Sequence, residues 1–167
     1  INMGQSPPSD TYNLDGRGLP FYQGVTEFNE RFVTPKMYTT SPLKIAEPKD
    51  VIFSVRAPVG KVNFTKEKCC IGRGNASLRM KNGAQDFLFY LLRFNEKRIQ
   101  GFTTGTVFDG INKIQIQKYE VSIPEQLEEQ KTIAGVLLSL DNKIEFLSQQ
   151  NKTLKSIVQA IFKHWFI

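Results

Sequence analysis

The chain has 167 residues, 22 Lys and Arg against 16 Asp and Glu, a formal net charge of +6 and a single histidine. That length suits one domain with at most an appendage, and 40% hydrophobic with 23% charged residues suits a globular chain rather than a disordered one. No stretch approaches the ~20 apolar residues of a membrane span, and Ile1-Asn2-Met3-Gly4 lacks the basic and apolar regions of a signal peptide. No membrane role is expected. The lone His164 excludes His-based triads and most metal sites, so no metal is expected. Cys69 and Cys70 are adjacent, which is poor geometry for an ordinary disulfide, and a cytosolic, reducing setting follows.

The first 50 residues are rich in turn material, such as Ser6-Pro7-Pro8-Ser9 and Asp15-Gly16-Arg17-Gly18. Short β-type runs then follow at Val51–Val55, Lys61–Phe64, Cys69–Ile71 and Ala76–Met80. Ala57-Pro58-Val59-Gly60 reads as the turn of a hairpin between the first two. One helix is expected from about Gln85 to Gln100, with Asp86 as its cap and Gly101 as its end. Two further strands are expected at Ile114–Ile116 and Glu120–Ile123. These elements make residues 1–123 a mixed α/β unit, and the fold class α+β.

Residues 124–167 read differently. Pro124 followed by Glu125, Glu128 and Glu129 is a good helix start, because proline suits the first turn and carboxylates complement the positive end of the helix dipole. Apolar residues then recur at alternating spacings of four and three. Positions d are Ile133, Leu140, Leu147, Leu154 and Ile161; positions a are Leu137, Ile144, Asn151, Val158 and Trp165. Such a seam predicts a long coiled-coil helix that dimerises. About 40 helical residues would span roughly 60 Å. A helix packed wholly on its own domain fits less well, since a domain of ~120 residues has a radius of gyration of only about 13–14 Å. The polar Asn151 would fix register; a parallel pair would set it against its own copy, an antiparallel one near Leu147 of the partner. Leu138, Phe146, Ile157 and Phe162 lie off the seam and hint at a second docking partner.

Charge follows the same division. Residues 1–123 hold 17 of the Lys and Arg and 11 of the Asp and Glu, while residues 124–167 hold five of each. The whole net charge therefore belongs to the globular part, and anionic partners, nucleic acid first, are expected there. Candidate DNA-binding residues are the cationic and hydrogen-bonding side chains on its turns. They are Gln5, Arg17, Lys36, Lys44, Arg56, Lys61, Arg73, Thr103, Thr104 and Lys113, with Thr39 and Thr40 beside them. Arg and Gln read base edges with two hydrogen bonds, whereas Lys, Ser and Thr mostly hold phosphates.

Catalytic chemistry is scarce. Gly72-Arg73-Gly74 follows a β run but lacks the third glycine of a dinucleotide fingerprint and the Lys-Ser/Thr of a phosphate loop. A thiol enzyme using Cys69 or Cys70 would need an activating base, and no histidine lies in that part of the chain; buried core cysteines are the better reading. His164 reads as a helix-end or interface residue. A coiled-coil interaction module without DNA sequence preference remains the alternative to DNA recognition.

Several separated blocks resemble the specificity subunit of type I restriction–modification systems. Gly4-Gln5-Ser6-Pro7-Pro8-Ser9 and Pro20-Phe21-Tyr22-Gln23-Gly24 look like the opening of a target recognition domain. Asp50-Val51-Ile52-Phe53-Ser54, Ala57-Pro58-Val59-Gly60 and Ile71-Gly72-Arg73-Gly74 resemble its middle, and Thr104-Gly105-Thr106 with Ile111-Asn112-Lys113 its end. Ile123-Pro124, Glu129-Gln130-Lys131-Thr132-Ile133 and Leu140-Asp141-Asn142-Lys143-Ile144 resemble the boundary and the long helix.

The resemblance implies a target recognition domain at 1–123 that reads one half of a bipartite site in double-stranded DNA. It implies a helix at 124–167 that pairs antiparallel with a second such helix. Methylation subunits carrying S-adenosylmethionine would dock on the helices, and ATP-driven restriction subunits would join them. The chain itself would hold no cofactor and catalyse nothing. Family members carry two recognition domains and two helical regions. One of each here implies a half-subunit that homodimerises or, preferably, a fragment.

Overall fold

The computed structural model describes residues 1–103 and 110–166. Nine short strands precede the first α-helix among these residues. They are β1 (Asn2–Met3), β2 (Tyr12–Asn13), β3 (Leu19–Tyr22), β4 (Tyr38–Thr39), β5 (Ile45–Ala46), β6 (Val51–Ser54), β7 (Val62–Phe64), β8 (Cys69–Ile71) and β9 (Asn75–Leu78). Four helices follow: α1 (Gln85–Phe94), α2 (Glu96–Thr103), α3 (Lys113–Lys118) and α4 (Leu127–Phe166).

The strands make two sheets, one in the order β1-β9-β6-β7 and one in the order β2-β4-β3-β8-β5. The first is antiparallel throughout; in the second, β3 and β8 run parallel. β6 is central and buried along its whole length. Its residues alternate between faces, as a period of two requires. Val51 and Phe53 pack with Phe64, Phe89 and Ile99 toward α1 and α2, while Ile52 joins Tyr22, Cys69 and Ile71 toward the second sheet. The result is a helical layer and two sheets around one strand, with Phe64 stacked on Phe89 at 4.5 Å.

The expected runs at 51–55, 61–64, 69–71 and 76–80 are strands in nearly those places, and β6 and β7 form the hairpin across Ala57–Gly60. Other expectations need correction. Ile114–Ile116 is helical, inside α3. Its Ile-polar-Ile alternation is overruled by a capping box, in which Asn112 accepts from the Gln115 amide and Gln115 accepts from the Asn112 amide. Residues 120–123 form no strand; Val121 instead closes over an apolar crevice lined by Leu88, Leu92 and Ile116.

The helix expected over 85–100 is two helices joined at Asn95. Gly101 lies inside the second of them rather than ending the first. Asp86 does not cap; it sits in the first turn of α1, and Asn82 Oδ1 accepts from the Ala84 amide just ahead. The loop-rich opening contains five of the strands, each too short to show a period in sequence.

α4 is one helix of 40 residues, roughly 60 Å long. It begins three residues after Pro124, whose carbonyl accepts a hydrogen bond from Gln130 Nε2 at 2.7 Å. Its first turns lie on α1, where Ala134 packs with Ala84 and Phe87, and Leu127 and Leu91 close the edge. Beyond Glu145 every described residue of the helix is exposed, and Ser148, Gln149 and Lys152 face the globular part across an open crevice.

Candidate nucleic-acid interface

The connection between β8 and β9 is Gly72-Arg73-Gly74, and several segments converge on it. The Gln5 amide donates to the Ile71 carbonyl, and the Ile71 amide donates to the Lys44 carbonyl, both at 2.9 Å. From the other sheet, the Val55 amide donates to the Gly74 carbonyl, and the Ile111 amide to the Val55 carbonyl, again at 2.9 Å. Backbones approach so closely that side chains are excluded. A Cβ at Gly74 would collide with the Gln23 carbonyl, and one at Gly4 with the Gly72 carbonyl.

This convergence brings Gln5, Lys44, Arg56, Arg73 and Lys113 to one edge, all of them exposed. Arg56 and Arg73 flank a crevice whose floor and wall include Met3, Asn112 and Gln115. The Arg56 side chain lies along Gly110, with which it forms an isolated bridge. The Arg73 amide donates to Ser6 Oγ at 3.3 Å, which ties the arginine's turn to the N-terminal segment.

Among the described residues, no carboxylate lies within ion-pair distance of Lys44, Arg56, Arg73 or Lys113. Unpaired cations on one edge leave a positive field that an anionic backbone can neutralise. Two guanidinium groups, beside Asn112 and Gln115 whose carbonyl oxygens serve the cap of α3 and whose side-chain amino groups can donate, offer donors to the acceptors on base edges.

Other candidates stand elsewhere. Arg17 is at the start of β3, which runs parallel to β8, so it lies at the opposite end from Gly72; it pairs with Asp15 at 3.2 Å. Lys36 donates to the Thr26 carbonyl. Lys61 is held by Glu96 at 2.7 Å, on the α2 side of the domain. Thr39 is buried in β4, where its hydroxyl meets that of Thr11, and Thr40 is exposed beside it. Thr103 ends α2, and Thr104 lies outside the described residues. Ser6, Asn112 and Gln115 were not expected at this edge. The Asn112-x-x-Gln115 capping pattern could have shown α3, and with it the last two.

The cysteines are core residues, as expected. Both are fully buried, and burial pushes the Cys69 thiol up to about 12. An activated nucleophile is shifted the other way. His164 is exposed in the last turn of α4.

Along α4, all ten seam residues are exposed in the single chain: Ile133, Leu137, Leu140, Ile144, Leu147, Asn151, Leu154, Val158, Ile161 and Trp165. The globular part covers a different flank, that of Leu127, Ala134, Leu138 and Asp141, together with Gln130. The seam therefore keeps an exposed face that is apolar except at Asn151, with Trp165 73% exposed at its end.

Nearly the whole length of the chain is similar to known proteins. Residues 1–156 match the type I restriction modification DNA specificity domain. The chain belongs to that family. It is 40% identical over 163 residues to the MjaX type I restriction enzyme specificity subunit of Methanocaldococcus jannaschii, covering 96% of this chain and 38% of that one. It is also 29% identical over 141 residues to the MjaIX specificity subunit of the same organism, covering 83% of this chain and 32% of the other.

Among solved structures, the HsdS subunit from Thermoanaerobacter tengcongensis superposes with a TM-score of 0.73 at 38% identity, covering 96% of this chain and 40% of that one. A chain from a structural study of complex assembly and conformational transition of the type I R-M system gives 0.76 at 38% identity, covering 96% and 41%. The S subunit from M. genitalium shares the fold, with a TM-score of 0.70 at 19% identity over 98% of this chain and 45% of its own. The chain thus spans about two fifths of the relatives it matches. The α+β architecture with its long C-terminal helix is that of the specificity family. None of the described helices is long and apolar enough to cross a membrane.

Proposed function

We propose that this chain is the DNA-reading element of a type I restriction–modification complex, recognising one half of a bipartite site in double-stranded DNA. The observation that carries the reading is the edge of Gln5, Lys44, Arg56, Arg73 and Lys113, its cations without a carboxylate partner among the described residues, on a member of the specificity family. Arg56 and Arg73, with Asn112 and Gln115, read base edges; Lys44 and Lys113 hold phosphates. The seam of α4 pairs antiparallel with a second helix, from another copy or from another half of the same subunit. That pairing sets the spacing of two reading domains. Methylation subunits dock on the paired helices and bring S-adenosylmethionine, and ATP-driven restriction subunits complete the assembly in a prokaryotic cytosol. The chain itself is not catalytic and holds no cofactor.

The test is duplex binding with methylation subunits supplied, measured against salt. The logarithm of the binding constant should fall with log salt by about 0.9 for every phosphate neutralised. Competition by unrelated duplex should be weak. A flat salt profile, or equal affinity for every sequence, would sink the reading.

A further inference from the structure

Within Leu140-Asp141-Asn142-Lys143-Ile144 the two apolar residues belong to the seam, and the polar ones have no task in the function proposed above. In the fold, two of these are engaged by the globular part. Asp141 Oδ2 accepts a hydrogen bond from the Tyr90 hydroxyl at 2.8 Å and lies 3.8 Å from Arg93 Nη1. One residue on, Asn142 Oδ1 accepts from Arg31 Nη1 at 2.6 Å, and the same nitrogen is 3.9 Å from Glu145 Oε2. Tyr90 and Arg93 belong to α1, whereas Arg31 belongs to the loop between β3 and β4. Two separate segments of the domain therefore grip one turn of α4.

These contacts are better suited to fixing geometry than to adding stability. The Arg31 side chain is 18% exposed and lies over the Phe32 ring. A guanidinium so covered gives up hydration, and pairs of this kind often return little net stability. Burial, and then the bond to Asp141, hold the Tyr90 hydroxyl above its ordinary range, so it stays a donor. The helix is gripped a second time nearer its start. There Gln130 donates to the Pro124 carbonyl and accepts from Asn82 Nδ2 at 2.9 Å. Gln130 and Asn142 stand roughly 18 Å apart along the axis. Between them lies a small apolar patch centred on Ala84, Phe87 and Ala134. A rod held at one end and on a small greasy patch can tilt; a rod held at both ends cannot.

We propose that Asp141 and Asn142, with Tyr90, Arg93 and Arg31, form a polar latch that fixes the angle of the reading domain on its helical arm. The latch thereby selects the spacing at which two half-sites are read. The consequence for spacing rests on the DNA-reading function proposed above; the latch itself does not. Leverage makes small angles matter. The free part of α4 beyond Glu145 is roughly 30 Å long, so a tilt of about 7° displaces its end by about 3.4 Å, one base-pair step.

The experiment measures the angle and the spacing separately in the full chain. Spin labels on S9C and S156C report the domain-to-arm distance, with excess unlabelled protein to dilute pairs between chains. Cys69 and Cys70 are fully buried and stay unlabelled. The parent should give one narrow distance distribution. D141A/R31A should at least double its width while the far-UV circular dichroism stays that of the parent. Should that variant fail to fold, Y90F/R31Q, which keeps the ring and the arginine's three-carbon stem, decides in its place. An unchanged width overturns the latch.

In the assembled complex, the preference for the native spacer over one altered by a base pair should then fall about tenfold, equivalent to about 1.4 kcal/mol. A broadened distance with undiminished spacer preference overturns the spacing role. Loss of all DNA recognition in the parent would defeat the proposed function and leave the distance result standing.

Discussion

The globular part and the helical arm solve opposite surface problems. In the first, apolar side chains such as Phe21, Ile52, Phe89 and Ile71 are hidden, and Lys44, Arg56, Arg73 and Lys113 stand in water. In the second, charge cancels and apolar side chains from Ile133 to Trp165 stand in water. A unit that covers its own core is complete as a folded body and can expose cations for an anionic ligand. An arm whose apolar face is left uncovered needs another helix to cover it. Under the proposed function the contrast gives DNA to one region and protein partners to the other, and each half of that proposal can be broken separately.

The largest effect should come from the hidden core. Phe89 is fully buried and stacks on Phe64, so Phe89→Ala should cost about 3–5 kcal/mol of unfolding free energy. Leu154→Ala, in the exposed seam, should leave the unfolding of the globular part within about 0.5 kcal/mol while weakening self-association. Urea denaturation followed by sedimentation measures both. Equal losses in the two variants would show that the arm is part of the same cooperative core.

Next in size are the cations of the reading edge. Arg73→Ala should cost about 1–3 kcal/mol of binding and relax preference at one base position, while Lys113→Ala should weaken all sequences alike and lower the salt slope by about 1. Competition binding with single-base variants of the target, repeated at several salt concentrations, separates the two. Should Arg73→Ala weaken every sequence equally, Arg73 is a phosphate contact and the base-reading role passes to Arg56.

The seam's polar residue comes third. Asn151→Leu should stabilise the paired arms by about 1 kcal/mol or more, since a buried amide at a seam costs that much, and should loosen their register. Melting by circular dichroism with analytical ultracentrifugation would register both changes. An unaltered melting point would place Asn151 outside the paired surface.

Sequence alone revealed most of what depends on local pattern. The heptads of 133–165 announced α4, and β-branched and aromatic runs announced β6 to β8. Legibility failed where long-range contacts decide. β1 to β5 are two to four residues long and exist only because partners distant in the chain complete their ladders, such as Asn2 with Ser77 and Phe21 with Cys70. The edge proposed to read DNA could be named from the sequence as a set of residue types, but not as a place. Its assembly depends on backbone hydrogen bonds donated by Gln5 and Val55, and one accepted by Lys44, that join them to one glycine-rich turn and the strand before it, and no spacing in the sequence encodes them. The flank of α4 that docks on α1 is marked by Ala134 and Gln130, residues with no hydrophobic signal strong enough to compete with the seam.

Lys61 tests whether position, and not charge alone, makes a cation DNA-facing. By composition it is as good a candidate as Lys44. In the fold its ammonium is 2.7 Å from Glu96, which is three-quarters buried, and its own side chain is half exposed. A pair of this kind in contact with solvent contributes about 0.2–1 kcal/mol, so Lys61→Ala should reduce unfolding free energy by no more than that. Its effect on DNA should be smaller still. The ammonium is already neutralised, so little counterion is released when a phosphate approaches, and the salt slope should stay where it was. Lys44→Ala, by contrast, should lower that slope and leave the unfolding free energy alone. If the two substitutions exchange these outcomes, the reading edge lies on the α2 side of the domain and the turn at Gly72–Gly74 only holds the sheets together.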